Sequence, residues 1–258
     1  MTILEGKTLL ITGVVTADSI AFSVARRAMA LGAHVVLTAL DRDRDRAQEA
    51  ATSLGIDQVL DLDVTRQEDF DRLERRLRVD VGHLDGALHA VAFAPRPALA
   101  GSFLAADESS VAQAFATSSY SYASLAGLLA SLAPDRGAAL VGLDFDAAGA
   151  WPVYNWMGVC KAALESINRY VARDLGPRGI RSNLVAAGPL HTRAANGIPD
   201  FDRLLSAWDA RSPVRWDPTD NEPVADAVCF LLSDLARAIT GEILHVDGGY
   251  HAMAAPLR

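Results

Sequence analysis

Short apolar runs alternate with helix-like segments along the whole chain, and this alternation restricts the fold more than any other feature of the sequence. Strands are predicted at residues 7–12, 34–40, 58–64, 84–93, 138–145, 181–187 and 242–246. Helices are predicted at residues 19–31, 65–78, 109–133, 155–175, 201–210 and 222–236, and the charged run 41–46 is interpreted as a solvated helix start, with a binding site as the alternative. Strands that are apolar throughout and alternate with helices indicate a parallel sheet covered on both faces. We therefore predict one α/β domain over residues 1–258, a doubly wound parallel sheet of seven strands.

The composition is that of an ordinary globular protein with a negative charge. Half of the 258 residues are apolar, enough for a substantial core, and the formal net charge is −8. This balance disfavours a nucleic-acid-binding protein, which would need a basic face. Cys160 and Cys229 are far apart, which favours free thiols in a reducing cytoplasm. We see no signal peptide and no apolar run of the roughly 20 residues that cross a bilayer, so no membrane partner is expected.

The first strand-to-helix turn is the expected phosphate site. In a Rossmann-type sheet, ligands bind beyond the carboxyl ends of the strands, and a helix N-terminus attracts an anion. Here the first strand ends at Gly13 and the helix begins near Ser19 and Ile20. Only one glycine of the usual several is present, so the segment is a candidate phosphate loop or simply a connection.

Two aspartates follow neighbouring strands and favour NADH over NADPH. Asp63, with Val64, closes the third strand, where a carboxylate can accept a hydrogen bond from the adenine amino group. Asp41 comes directly after Leu40 at the end of the second strand, where it could lie near the adenosine ribose and repel a 2′-phosphate. The alternative role for either aspartate is a helix N-cap.

A tyrosine and a lysine occur near the start of the predicted helix 155–175. Tyr154 and Lys161 are seven positions apart, about two helical turns, so both project from one side of the helix. A phenol beside an ammonium gains acidity and hydrogen-bonding power toward a developing oxyanion. The same spacing also arises by chance in many helices.

Taken together, these segments resemble the enoyl-acyl-carrier-protein reductases, a family of the short-chain dehydrogenase/reductase superfamily. The resemblance covers essentially the whole chain, and its most specific element is the six-residue gap between Tyr154 and Lys161, since most superfamily members have a gap of three. Residues 142–146 and 154–157 look most like the mycobacterial branch. The other segments that carry the resemblance are Gly13, 19–21, 63–64, 84–95, 181–189 and 240–249.

The resemblance implies a mechanism. NADH delivers a hydride to the β-carbon of a trans-2-enoyl thioester, and the resulting enolate is protonated at the α-carbon. Tyr154 would hydrogen-bond the thioester carbonyl, Lys161 would bind the nicotinamide ribose, and Phe145 would lie beside the nicotinamide unless it is simply core. The remaining implied cofactor contacts are Ser19, Ile20, Ala90, Val91, Ala92, Gly188, Pro189 and Thr192. Ala90 stands where the family often has serine, and the lost hydrogen bond would cost roughly 0.5–1.5 kcal/mol of cofactor binding.

The segment 192–216 would form a flap over the acyl chain. It is shorter than in the mycobacterial branch, which suggests a shallower pocket and a preference for short or medium chains. Phe93, Met157, Leu204 and Trp208 are candidates for the acyl pocket or for ordinary core packing. The resemblance further implies an acyl carrier protein or coenzyme A thioester as substrate. It also implies a homotetramer with residues 120–122 at a subunit contact.

Two other functions remain open on the sequence. A related reductase could keep the cofactor and the Tyr–Lys pair but act on a different conjugated or carbonyl substrate. A nucleotide-sensing protein could keep the fold without turnover, which Ala90 and Ala92 would favour. Turnover of a crotonyl thioester with NADH separates these possibilities. No metal is expected, because the six histidines lack the spacing of metal ligands.

Overall fold

In the computed structural model, which describes residues 2–198 and 200–256, the strands form one parallel sheet in the order β3-β2-β1-β4-β5-β6-β7. The predicted fold class is thus confirmed. The strands are β1 (Thr8–Thr12), β2 (His34–Ala39), β3 (Val59–Asp61), β4 (Gly86–His89), β5 (Ala138–Asp144), β6 (Ile180–Ala187) and β7 (Ile243–Val246).

Helices connect these strands and cover both faces of the sheet. The short helix α4 was not anticipated from the sequence, and neither were several single 3-10 turns. The helices are α1 (Ile20–Ala30), α2 (Arg44–Ser53), α3 (Gln67–Asp80), α4 (Arg96–Leu99), α5 (Glu108–Phe115), α6 (Ser121–Leu132), α7 (Asn155–Leu175), α8 (Phe201–Arg211) and α9 (Glu222–Leu232).

Each face of the sheet has its own apolar core. Leu9 and Ile11 point to one face, where α1 and α9 pack against each other. Leu10, between them in β1, points to the other face, where it joins the core beneath α3, α6 and α7. All three leucine and isoleucine side chains are fully buried, and each contributes roughly 1.5–3 kcal/mol by leaving water. Burial on both faces explains why the strands are apolar throughout.

Two predicted strands end earlier than expected. The third was predicted to reach 64 but ends at Asp61, because the Asp63 carboxylate accepts hydrogen bonds from Thr65 and folds the chain into a turn. The fourth was predicted to reach 93 but ends at His89. Beyond it, the backbone of Phe93 is held by the Ser118 hydroxyl instead of a neighbouring strand.

The predicted helix 109–133 is interrupted. A π-helical turn (Ala116–Tyr120) joins α5 to α6, and such turns occur often at functional sites. Within it, Ser118 bonds both the N–H and the carbonyl of Phe93. Farther along the chain, the predicted helix 222–236 ends at Leu232, because the Ser233 side chain caps a separate 3-10 turn.

A third apolar cluster lies outside the two sheet cores. Its members come from α4, α5, the segment after β5, the start of α7, α8 and the segment after β7, and they include Phe145, Tyr154 and Trp208. This cluster and the carboxyl ends of the strands define the region of the candidate site. Over the described residues, no helix combines the length and the apolar composition needed to span a bilayer.

Candidate active site

A cleft of about 890 Å³ opens at the carboxyl edge of the sheet, beside β1 and β4, where the strand order reverses. This is the position at which doubly wound sheets bind ligands. Most of the predicted cofactor-binding residues meet there, together with one predicted pocket residue. Those that line the cleft are Gly13, Ser19, Ile20, Leu40, Asp63, Val64, Ala90, Val91, Ala92, Phe93, Lys161 and Thr192.

The turn after β1 is built around Gly13. Its φ angle is +84°, and a Cβ at this position would lie 2.1 Å from the carbonyl oxygen of Ala90. Only glycine therefore lets the chain leave β1 this close to the end of β4. The single glycine of the loop is thus required by the backbone.

The start of α1 closes the same loop. The Ser19 side chain accepts a hydrogen bond from the Phe22 N–H at 3.1 Å and caps the helix, whose N-terminus borders the cleft. The Thr16 hydroxyl also lines the cleft, is buried, and has no hydrogen-bond partner among the described residues. A helix N-terminus, a close backbone approach at Gly13 and an unpartnered hydroxyl are features that fit the pyrophosphate of a dinucleotide.

The two predicted adenosine contacts lie at the other end of the cleft. The Asp63 carboxylate accepts bonds from the Thr65 N–H at 2.9 Å and the Thr65 hydroxyl at 2.6 Å. The Asp41 side chain is 94% exposed and lies 3.6 Å from the Arg44 guanidinium. Neither aspartate is a helix N-cap, since the caps are Leu40 and Arg66. The alternative role of these aspartates is therefore not realised.

Lys161 lies at the floor of the cleft, on the second turn of α7. Its ammonium is buried, donates a hydrogen bond to the Leu143 carbonyl at 2.8 Å, and lies 4.0 Å from the Asp144 carboxylate. Burial lowers the pKa of Lys161, whereas the neighbouring Asp144 raises it. The side chain is thus held in one position, with N–H donors to spare.

Asp144 is a functional candidate that the sequence analysis did not identify. It is the last residue of β5, its side chain is fully buried, and neither carboxylate oxygen has a hydrogen-bond partner in the described part of the chain. Burial raises the pKa of Asp144 to about 7, although the Lys161 ammonium opposes the shift. The sequence feature that could have identified Asp144 is its position, since a carboxylate at the carboxyl end of a central strand lies where such sheets bind ligands.

His89 forms a second buried polar group behind the cleft. Its Nε2 lies 2.7 Å from the Ser121 hydroxyl, which bonds the Thr117 carbonyl in the π-helical turn. Burial, together with the nearby Lys161 charge, lowers the pKa of His89 to about 3. The imidazole is therefore neutral at physiological pH, so it adds no charge beside Lys161.

Tyr154 does not line the cleft. Its ring is buried in the third apolar cluster, with its centroid 5.0 Å from that of Phe145. Burial raises the pKa of Tyr154, and the Asp144 carboxylate raises it further. The prediction that Lys161 makes this phenol more acidic is wrong. The hydroxyl keeps its proton and is suited to donate a hydrogen bond to an oxygen that gains charge.

Five rings pack together in this cluster, and we call them the aromatic cluster: Phe145, Trp151, Tyr154, Trp208 and Tyr250. The Trp208 and Tyr250 rings are stacked, with centroids 3.9 Å apart and planes at 8°. The Trp151 ring lies 4.9 Å from Phe145 and 5.2 Å from Trp208. Local sequence patterns do not predict that Trp151 and Tyr250 meet, because these residues are 99 positions apart in the chain.

The remaining predicted site residues surround this cluster and not the cleft. Met157 and Leu204 are buried in the same apolar core. A Cβ on Gly188 would lie 2.8 Å from both Trp208 and Trp216, and Trp216 donates a hydrogen bond to the Pro189 carbonyl. The site thus has an open half that holds most predicted cofactor contacts and a filled half that holds the predicted substrate contacts other than Phe93.

The predicted flap, residues 192–216, spans both halves, apart from residue 199, which lies outside the described residues. It contains a 3-10 turn (Ala195–Gly197) and the helix α8, which carries Leu204 and Trp208 into the aromatic cluster. Thr192, at its start, lines the cleft, and its hydroxyl accepts a hydrogen bond from the Ala195 N–H at 3.2 Å. The segment is therefore a physical link between the open and the filled half.

Comparison with known proteins agrees with this geometry. The family model described as enoyl-(acyl carrier protein) reductase matches residues 13–251. The chain belongs to this reductase family. It is 41% identical to the NADH enoyl-acyl-carrier-protein reductase of Mycolicibacterium smegmatis, over 96% of this chain and 97% of that protein. The corresponding Neisseria meningitidis enzyme is 40% identical over 97% of both chains, and the Escherichia coli enzyme 38% identical over 98% and 97%.

Membership of the enoyl-acyl-carrier-protein reductase family confirms the resemblance that the sequence motifs indicated, including its mycobacterial component. Across the described residues, no group of three or more histidine, cysteine, aspartate or glutamate side chains is arranged to hold a metal ion. The charged side chains that line the cleft include the buried Lys161, which pairs with Asp144, and several aspartates and arginines, of which Asp41 is exposed and Asp69 buried.

Proposed function

We propose that this chain reduces the trans-2 double bond of enoyl thioesters with NADH, as a step of fatty-acid synthesis. The observation that carries the proposal is the placement of Lys161. A buried ammonium stands at the floor of a dinucleotide-sized cleft, two turns along the helix from the buried phenol of Tyr154. Membership of the enoyl-acyl-carrier-protein reductase family supports the reaction and the cofactor.

The cleft fits NADH. Gly13, Ser19 and Ile20 would hold the pyrophosphate, Asp63 and Val64 the adenine, and Lys161 the ribose next to the nicotinamide. The unpartnered Thr16 hydroxyl and the spare donors of Lys161 support this assignment. When bound, the reduced nicotinamide supplies the hydride for the β-carbon. One side of the cleft would be lined by Ala90, Val91 and Ala92, none of which has a hydroxyl to bond the cofactor.

Tyr154 would act on the substrate, and Lys161 would act on the cofactor. The protonated Tyr154 hydroxyl would donate a hydrogen bond to the thioester carbonyl and stabilise the negative charge that develops on that oxygen. Lys161, fixed by Leu143 and Asp144, would orient the cofactor through its ribose hydroxyls. Phe145, whose ring touches Tyr154, would exclude water from the reacting atoms.

The decisive experiment follows NADH absorbance with crotonyl-coenzyme A for the parent protein, Tyr154→Phe and Lys161→Ala. We expect turnover by the parent, a loss in kcat for the tyrosine variant and weaker NADH binding for the lysine variant. Consumption of NADH with ketone substrates but with no enoyl thioester would instead identify a different reductase of the superfamily. NADH binding without any turnover would identify a nucleotide sensor.

The preference for NADH over NADPH belongs to the same proposal. Asp41 lines the adenosine end of the cleft with an exposed carboxylate that would repel a 2′-phosphate, while Arg42 and Arg44 lie close by. Asp41→Ala should therefore raise kcat/KM for NADPH relative to kcat/KM for NADH. A parent protein that prefers NADPH would contradict this part of the proposal.

The proposal extends to the carrier, the assembly and the location. The acyl group would arrive as an acyl-carrier-protein or coenzyme A thioester beneath the flap at 192–216 of a single reductase domain. Of the predicted contact segment 120–122, only Tyr120 is exposed, since Ser121 and Tyr122 are buried within the chain. Tyr120 on the π-helical turn, with the exposed Val159 and Tyr170 of α7, supports subunit contacts in a homotetramer. The free, buried Cys160 and Cys229 are compatible with a cytoplasmic location. Light scattering of the purified protein tests the tetramer.

A further inference from the structure

We propose that Trp151, Trp208 and Tyr250 form the end wall of the acyl pocket and restrict this enzyme to short enoyl thioesters, an inference that rests on the proposed function. We call these three side chains the aromatic wall. Trp208 is stacked on Tyr250 at 3.9 Å, and Trp151 lies 5.7 Å from Tyr250 and 5.2 Å from Trp208. The rings therefore form a continuous surface without a gap for a methylene chain.

The position of the aromatic wall follows from its contacts with the residues assigned to catalysis. The Phe145 ring lies 5.0 Å from the Tyr154 ring, 4.9 Å from the Trp151 ring and 5.6 Å from the Trp208 ring, so it connects Tyr154 to two rings of the wall. A thioester whose carbonyl is bonded by Tyr154 would thus lie beside Phe145, with the wall one ring farther on. In the part of the chain that the structure describes, none of the residues that line the open cleft belongs to the wall.

Each ring of the wall is held by a polar or cationic contact. The Trp208 indole N–H donates to the Asp247 carbonyl at 3.0 Å, and the Trp151 indole N–H donates to the Asp146 carbonyl at 2.5 Å. The Arg211 guanidinium lies 4.4 Å above the Tyr250 ring. Moving any ring out of the way would break one of these contacts and the ring packing with it. The wall is therefore part of the folded structure and not a loosely placed side chain.

The bonds that hold the wall also join separate parts of the chain. Asp247 follows β7, and its carboxylate accepts hydrogen bonds from the N–H groups of Gly249 and His251, which fix the turn that presents Tyr250. Trp208 comes from the flap helix α8. A longer acyl chain would have to separate the flap from the segment after β7, whereas a four-carbon chain would end before it reaches the wall.

The test is a chain-length series of trans-2-enoyl-coenzyme A substrates from four to sixteen carbons. For the parent protein we expect kcat/KM to fall by about tenfold or more between four and twelve carbons, since pockets reject added methylenes by roughly 10–200-fold. Tyr250→Ala and Trp151→Leu each remove part of the wall and should raise kcat/KM for the twelve-carbon substrate at least tenfold relative to the four-carbon substrate.

Two matched variants serve as controls. Tyr250→Phe keeps the ring and should keep the parent's chain-length profile. Trp156→Leu removes a tryptophan that is stacked on Phe103 at 4.7 Å, outside the wall, and should also leave the profile unchanged. Calorimetric binding of butyryl- and dodecanoyl-coenzyme A to each protein loaded with NAD⁺ gives a second readout that does not depend on turnover.

The outcomes are distinct. Equal kcat/KM for the four- and twelve-carbon substrates in the parent would overturn the proposal that the aromatic wall limits chain length. An unchanged chain-length profile in Tyr250→Ala and Trp151→Leu would overturn it as well. Failure of every enoyl thioester to turn over would refute the proposed function alone. In that case the binding ratio of the two saturated thioesters, in the parent and in Tyr250→Ala, would still decide whether the wall limits chain length.

Discussion

The open cleft and the aromatic cluster lie at the same edge of the sheet but are built in opposite ways. The cleft is made of small residues and strand ends, such as Gly13, Ala90 and Ala92, and charged side chains line its outer end. The aromatic cluster is made of large rings from three separate segments, represented by Phe145, Trp208 and Tyr250. The cleft has open space for the cofactor, whereas the proposed role of the cluster is to limit the length of the acyl chain that binds beside it. Lys161 and Tyr154, on one helix, belong to different halves.

Tyr154→Phe gives the largest expected effect and tests whether the filled half acts in chemistry. Removing one donor to a developing oxyanion should lower kcat by about 10²–10³-fold, roughly 3–4 kcal/mol, without changing NADH binding. Tyr122→Phe is the matched control, because Tyr122 is also buried but bonds the Ser182 hydroxyl and does not line the cleft. It should affect stability and not kcat. Equal kcat losses in both variants would contradict a catalytic role for Tyr154.

Lys161→Ala should act on the open half. The change leaves the buried Asp144 without its ion-pair partner, and a broken buried pair costs about 3 kcal/mol of unfolding free energy. NADH binding, measured by calorimetry, should also weaken by at least tenfold. The double variant Lys161→Met/Asp144→Leu should recover stability but not NADH binding. If it recovers both, Lys161 is structural and does not contact the cofactor.

The pH dependence of stability sharpens the boundary between the two halves. Because burial raises the pKa of Asp144 from its ordinary value to about 7, the folded protein retains a proton there that the unfolded chain releases. The stability contributed by protonated Asp144 is fully present below about pH 4 and is lost as pH rises through 7. This one proton lowers the unfolding free energy by at most about 2.7 kcal/mol as the pH rises from 5 to 7. Denaturant unfolding between pH 5 and 7 should show this loss of stability in the parent but not in Asp144→Asn. The same pH dependence of the unfolding free energy in both proteins would contradict the prediction.

Gly13→Ala tests the backbone of the open half. The added Cβ would overlap the Ala90 carbonyl in a conformation with φ of +84°, so we expect about 1–3 kcal/mol of destabilisation together with weaker NADH binding. Gly149→Ala is the control, since a Cβ there meets nothing within 4 Å. Thermal unfolding of both variants provides the comparison. A Gly13 variant as stable as the control would show that the turn can relax.

Ser118→Ala gives the smallest expected effect. Its hydroxyl bonds the N–H and the carbonyl of Phe93, both at 2.9 Å, and their loss should cost about 1 kcal/mol. Because Phe93 lines the cleft as the one predicted substrate-pocket residue there, KM for the thioester should rise modestly while KM for NADH stays constant. A change confined to the KM for NADH would place Phe93 with the cofactor.

The difference between the halves also explains what could be predicted from the sequence. The sheet and the cleft follow from local patterns: an apolar strand, Gly13 at its end and a helix cap at Ser19 are neighbours along the chain. The aromatic cluster depends on tertiary folding, since Trp151 and Tyr250 meet only after β5 and β7 are placed two strands apart. The buried state of Asp144 is likewise invisible locally, because a carboxylate after a strand is usually solvated.

The π-helical turn at Ala116–Tyr120 sets a condition on the length of this chain. A π-helical turn holds one more residue than an α-helical turn, and each residue turns a helix by about 100°. Because the wider turn takes up this extra residue, α6 keeps the faces of a regular helix, with Tyr120 exposed and Tyr122 buried. Deleting one residue inside the turn should leave a regular α-helical turn and the same faces. Deleting one residue inside α6 would instead rotate every later residue of the helix by that angle and carry buried side chains out of the core.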